Sequence, residues 1–139
     1  MIQATWSVDV AKGIVTGTLA QATDAQLEAV LDVEAWGPVC DALPAGLDVL
    51  VANGRMMTGA YPRLLQECLG FTGDDVDGSI GPDTLGDAAE CDARTLINAL
   101  HGRHYAYLRE LSTWGEFGNG WTRRLVAAHV AARALAEPL

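Results

Sequence analysis

A change of hydrophobic period near residue 20 constrains this chain more than any other feature. Residues 2–10 alternate, with Ile2, Ala4, Trp6, Val8 and Val10 on one side and Gln3, Thr5, Ser7 and Asp9 on the other. Period two is the pattern of a strand with one buried face. Ala11-Lys12-Gly13 supplies a turn, and Ile14-Val15-Thr16-Gly17-Thr18-Leu19 is a second β-rich run, weakened at Gly17. The expectation is a β-hairpin over residues 1–20. From residue 21 the apolar spacing is helical, so the expected fold class is mainly α, a compact helical domain over 21–139 preceded by the hairpin.

Start and stop signals place the helices. Thr23 is a side-chain cap for a helix over 24–33, with Asp24 at its positive end and Leu27, Val30 and Leu31 on its apolar face. Trp36 to Leu43 reads as a short helix or turn closed by Pro44-Ala45-Gly46. A helix from Leu47 is expected to be disrupted at Asn53-Gly54. Pro62 opens a helix that Gly70 terminates. Asp92 caps a long helix to Leu111, with Leu96, Ile97, Leu100, Tyr107, Leu108 and Leu111 inward, and a last helix spans 118–136. Trp121 and Leu125 are expected in the core between these two. The sequence contains no linker, repeat or low-complexity tract.

Composition excludes several classes. The net charge of −9 speaks against a nucleic-acid partner, which needs clustered cations. Six of the nine basic residues nevertheless fall in the last third (Arg94, Arg103, Arg109, Arg123, Arg124, Arg133), while acids crowd positions 24–92. No apolar run is long enough to span a bilayer, so no membrane insertion is expected. The opening Met1-Ile2-Gln3 does not begin a signal peptide. The expected product is cytoplasmic on synthesis, reaching a wall only through lysis, another export route or carriage on a phage-like particle.

Cys40, Cys68 and Cys91 contain no C-x-x-C pair and read as three buried, reduced thiols; with His101, His104 and His129 they do not make a metal set. His101 and His104 share one helix face, read as polar. The run Asp74, Asp75, Asp77 lacks the spacing of a calcium loop. No cofactor is expected. No nucleophile elbow or phosphate-binding loop occurs.

Three motifs stand in order: Leu64-Leu65-Gln66-Glu67-Cys68-Leu69-Gly70, Asp77-Gly78-Ser79-Ile80-Gly81-Pro82-Asp83-Thr84-Leu85, and Phe117-Gly118-Asn119-Gly120-Trp121-Thr122-Arg123-Arg124. Together they resemble the peptidoglycan-domain half of the phage-type muramidases of glycoside hydrolase family 108, whose pattern reads roughly L-Q-x-x-L-G, D-G-x-I-G-P-x-T-L and F-x-x-G-W-x-x-R. Upstream, Thr23-Asp24-Ala25, Trp36-Gly37-Pro38-Val39 and Asp41-Ala42-Leu43-Pro44-Ala45-Gly46-Leu47 are similar to the family's I-T-D-A, Y-W-x-P-V and D-x-L-P-A-G-L stretches. The resemblance implies a lysozyme-like helical scaffold in which Asp77, Gly78, Gly81, Pro82, Trp121 and Arg124 are mainly architectural.

The departures bear on activity. The family's catalytic Glu lies in an opening E-G-G-Y segment, and no Glu occurs here before Glu28. Where the family reads V-F-D-x-A-V-N-S-G, this chain has Val51-Ala52-Asn53-Gly54-Arg55-Met56-Met57-Thr58-Gly59, so Asn53 replaces an Asp and Met57 an Asn. A missing general acid costs about 10²–10⁴-fold. Glu28, Glu34 and Glu67 are the candidates for a relocated acid, and each reads as a surface helix residue.

The expectation is a catalytically inactive muramidase-like protein that binds peptidoglycan or serves an assembly, as in a phage-like particle. The alternatives are an active hydrolase with a relocated acid and a phage-encoded inhibitor or regulator of a host protein. Expected ligand-binding residues are Trp114, Tyr105 and Asn53; Trp114 is the exposed one, while Phe117 and Trp121 are core anchors. Ile2, Trp6, Val8 and Val10 form the expected partner-binding face, by which the hairpin joins a second chain or a larger assembly.

Overall fold

The computed structural model describes residues 12–13 and 16–136, and the chain divides into two compact units, Met1–Gly37 and Pro38–Leu139. The alternating segment 2–10, with Ile2, Trp6, Val8 and Val10, lies outside the described residues. Among the described residues there is no strand, and the hairpin expected over 1–20 is not supported there. Lys12-Gly13 does turn, at a Gly13 φ of 76°. Thr16–Thr18 is not strand, and Leu19–Gln21 is a 3-10 turn. Local hydrogen bonds account for the difference. Gln26 Nε2 donates to the Thr16 carbonyl at 3.0 Å and the Thr18 hydroxyl donates to Gln21 Oε1 at 3.1 Å, which ties this stretch to the following helix.

That helix, α1 (Asp24–Leu31), starts as its sequence dictates. Thr23 accepts from the Gln26 N–H at 3.2 Å, and the Thr23 N–H donates to Gln26 Oε1 at 3.0 Å. This reciprocal cap satisfies two otherwise orphaned donors. A π-helical turn over Asp32–Trp36 follows, stopped at Gly37, whose φ is 56°. Among the described residues of this unit, Val30 and Ala35 are buried.

Helix α2 (Gly37–Asp41) starts at the last residue of the first unit, and the second unit carries α3 (Leu47–Met57), α4 (Tyr61–Cys68), α5 (Pro82–Glu90), α6 (Ala93–Arg109) and α7 (Trp114–Leu135). The α6 and α7 helices fold back on each other; α3 packs on both, α4 on α3 and α6, and α5 on α6. Asp92 caps α6 as expected, accepting from the Thr95 N–H at 2.9 Å. Leu96, Ile97, Leu100, Leu108 and Leu125 are buried, and Leu47, Leu50, Leu64 and Leu65 close the core from α3 and α4.

Two boundaries differ from expectation, both at glycines. The α3 helix runs through Asn53-Gly54 to Met57. Gly54 is buried, and a Cβ there would collide with the Tyr61 ring, so its bare backbone seats an aromatic side chain. Gly118 lies inside α7, which begins at Trp114 rather than at residue 118. In both cases close packing outweighs the roughly 1 kcal/mol helix penalty of glycine.

Candidate functional site

The first two sequence motifs interlock through Gln66. This residue is 1 % exposed, on α4. The two hydrogens of its Nε2 are shared among Asp77 Oδ1 at 2.9 Å, the Ser79 carbonyl at 3.0 Å and Thr84 Oγ1 at 3.2 Å, while its Oε1 accepts the Gly78 N–H at 2.9 Å. One amide therefore fastens the Asp77–Gly81 loop and the first turn of α5. Asp77 also accepts the Ser79 N–H at 2.9 Å. The Gln66 amide first, and the Ser79 N–H second, hold the Asp77 carboxyl below its usual range. Gly78 takes a φ of 78°, which an L side chain rarely adopts, and Pro82 opens α5. Asp77 and Gly78 are thus bonded to Gln66, and Pro82 opens the helix that follows the loop.

Beside the loop lies an open cavity of roughly 420 Å³. Phe71 and Pro82 give it an apolar wall, and Asp74, Asp75, Asp77 and Asp83 give it negative charge. That charge disfavours phosphate or nucleic acid as a guest. Asp74 and Asp75 sit in a 3-10 turn, Gly73–Asp75. Among the described residues no group of three or more His, Cys, Asp or Glu side chains is placed to hold a metal ion.

The third motif meets the altered upstream stretch at Arg124. Its Nε donates to Asn53 Oδ1 at 2.8 Å, and its Nη2 lies 3.9 Å from the Met56 sulfur. Asn53 Nδ2 is 3.6 Å from the Met57 sulfur. The uncharged amide oxygen at position 53 thus accepts from the guanidinium cation where an Asp would form an ion pair, and Met57 offers only a weak sulfur acceptor.

One helical turn before Arg124 begins an aromatic ledge. Trp114, Phe117 and Trp121 line one flank of α7, and Tyr105 reaches it from α6. Tyr105 and Trp114 meet edge to face at 5.5 Å and 88°, Trp114 and Trp121 are 6.2 Å apart at 45°, and Phe117 and Trp121 are 5.7 Å apart at 34°. Arg109 caps the Tyr105 ring at 5.7 Å. The Trp114 indole lies on Gly118, where a Cβ would come within 2.8 Å of it. Trp114, Trp121 and Tyr105 are half-buried, and Phe117 is 46 % exposed. Phe117 is therefore no core anchor and Trp121 only a partial one, because the core beneath α7 is filled by Leu125 and by the Trp114 ring on Gly118. The structure brings Tyr105 and Trp114 together and sets Asn53 at the neighbouring Arg124. The glycine seat, which sequence reasoning missed, is marked by the W-G-E-F-G stretch, in which Gly118 stands four residues after Trp114.

The carboxylates considered as relocated acids are dispersed. Glu28 is exposed, Glu34 pairs with Lys12 at 2.9 Å, and Glu67 pairs with Arg103 at 2.8 Å. The cysteines divide rather than forming a buried set: Cys40 is buried, Cys68 intermediate and Cys91 exposed at the end of α5. Burial pushes the Cys40 and Cys68 thiols up.

The His101/His104 face is not a solvated one. His104 is 2 % exposed, edge-on to Tyr61 at 5.0 Å, and His101 stacks on His129 at 4.1 Å and 5°. His129 Nε2 lies 2.8 Å from Asn98 Oδ1, while His101 Nδ1, His104 Nε2 and the Tyr61 hydroxyl have no partner among the described residues. Burial, then the charges of His101 and Arg124, lower the His104 pKa to about 4. Burial first also lowers the pKa values of His101 and His129.

No protein-family model matches this chain, and a search of curated proteins found no match. Among solved structures, that of Brucella abortus SagA is similar, with a TM-score of 0.82 at 28% sequence identity over 99% of this chain and 79% of that one.

Proposed function

We propose that this chain is a catalytically inactive, muramidase-like protein that binds peptidoglycan on a lysozyme-like helical scaffold. The observation that carries the reading is the interlock of its motifs. Gln66 of the first holds Asp77, Gly78 and Ser79 of the second, and Arg124 of the third holds Asn53 of the upstream stretch. Residues selected by likeness to the glycoside hydrolase family 108 pattern meet in two hydrogen-bonded pairs of segments, which supports an architectural part for them. The same framework supports the loss of chemistry. Asn53 cannot exchange a proton, and Glu34 and Glu67 are engaged by cations on the surface.

The test uses the purified chain on sacculi in two assays. Pelleting with peptidoglycan, with no loss of turbidity and no released muropeptides, is the expected result. Clearance of the wall that disappears in Glu28→Gln, Glu34→Gln or Glu67→Gln would establish an active hydrolase instead. Failure to pellet, together with retention of a protein partner, would favour an assembly or regulatory role.

A further inference from the structure

Resting on the reading that this chain binds peptidoglycan, we propose that the aromatic ledge at the α6–α7 turn is a glycan-stacking site. It takes the faces of β-1,4-linked N-acetylamino sugars and leaves the peptide stems to other surfaces. A pyranose ring presents C–H groups on its faces and hydroxyl or acetamido groups around its edge. A complementary site therefore needs an aromatic floor with donors and acceptors at its rim.

The ledge has both. Trp114, Trp121 and Phe117 follow one another at 6.2 and 5.7 Å with tilts of 45° and 34°, a row of inclined rings rather than a single flat plane. Tyr105 stands against Trp114 at 88° as a side wall. The exposed side chains of Arg109, Ser112, Thr113, Glu116 and Asn119 supply the rim. This mixture of planar rings and short polar groups suits a sugar better than an aliphatic protein surface.

The floor is also set before any ligand arrives. Trp114 is held between Gly118 and Tyr105, and Arg109 lies over the Tyr105 ring. Fixing the rings in advance lowers the ordering cost of binding. Phe117 is left 46 % exposed, with its ring beside Trp121.

The probe is an N-acetylglucosamine hexasaccharide, which has the glycan linkage but neither lactyl groups nor peptides. It is titrated into the full chain while tryptophan fluorescence is followed, alongside pelleting on sacculi. Quenching by the oligosaccharide is expected, with affinity at least about tenfold weaker in Phe117→Ser and Trp121→Leu. Circular dichroism checks both folds, and the exposed Phe117→Ser carries the test should Trp121→Leu unfold. Pelleting on sacculi without any response to the hexasaccharide, or unchanged affinity in Phe117→Ser, overturns the glycan site and leaves the wall-binding reading standing. No binding to either overturns both. Self-association that Phe117→Ser abolishes, without oligosaccharide binding, makes the ledge an interface between copies of the chain.

Discussion

Gln66 uses every polar atom of its side chain, and the sequence shows it only as one letter in a motif. Replacing it with Leu keeps the volume but strands the Gly78 N–H and takes the amide donor from the buried Thr84 hydroxyl, while the exposed Asp77 carboxylate turns to water. Each unsatisfied group costs about 1–3 kcal/mol, so Gln66→Leu is expected to lose roughly 3 kcal/mol in a denaturant melt. A loss below about 0.5 kcal/mol would mean that the loop holds itself. Glycines give a sharper contrast. A methyl at Gly118 would sit 2.8 Å from the Trp114 ring, whereas one at Gly120, two residues along the same helix, meets nothing within 4 Å. Gly118→Ala should therefore destabilise by about 1–3 kcal/mol and alter the tryptophan fluorescence. Gly120→Ala should stabilise by about 0.5–1 kcal/mol through helix propensity. Equal effects at the two positions would show that Gly118 does not seat the ring. At this scale the sequence was legible where side chains act locally, as in the Thr23 and Asp92 caps. It was not legible at Gly54 and Gly118, because a glycine needed for close packing looks the same as one that ends a helix.

The α6 and α7 helices meet along a seam that is apolar at Leu100 and Leu125 but carries His101 on His129, with His104 buried against Tyr61. The groups facing these imidazoles are cations or one another: His101 and Arg124 at His104, His129 at His101, and Arg133 at His129. All three pKa values are lowered, so the folded state prefers neutral rings. Their contribution is complete above the ordinary value of 6.5 and is lost as pH falls through it towards about 4 for His104. For His104 the loss is at most roughly 3 kcal/mol. The carboxylates of Asp77 and Asp92, also lowered, lose their contribution only below their ordinary 3.8, so the two acid limbs separate. Thermal melts from pH 7 to 4 should show Tm falling across the histidine window, with a flatter profile in His104→Phe, which keeps a ring against Tyr61. An identical profile in that variant would remove His104 as the cause. The helices themselves were readable from apolar spacing and caps. The histidine contacts were not, since residues 101 and 129 are joined only by the way α6 folds back on α7.

For the whole molecule, the helical class followed from the period of the pattern after residue 20, while the β reading failed at Thr16–Gln21. There β-branched residues yielded to local ties with Gln26 and Gln21. The candidate site was half legible. Tyr105, Trp114 and Asn53 were picked out by residue type, but the meeting of Tyr105 of α6 with Trp114 of α7, and of Asn53 of α3 with Arg124, depends on tertiary packing. Charge gives the last prediction. The chain carries −9 overall, with six of its nine cations in the last third. Of these, Arg103 is paired to Glu67 and Arg124 is bonded to Asn53. Peptidoglycan carries stem carboxylates, so under the proposed wall-binding function long-range forces between wall and protein are repulsive, and attraction would come from short-range contacts such as ring stacking. Raising salt from about 10 mM to about 150 mM shortens the screening length from about 30 to about 8 Å and should weaken the repulsion more than the contacts. Pelleting on sacculi is therefore expected to hold or improve over that range. A steep fall with salt would instead assign the binding to the arginine-rich end, acting by charge rather than by its rings.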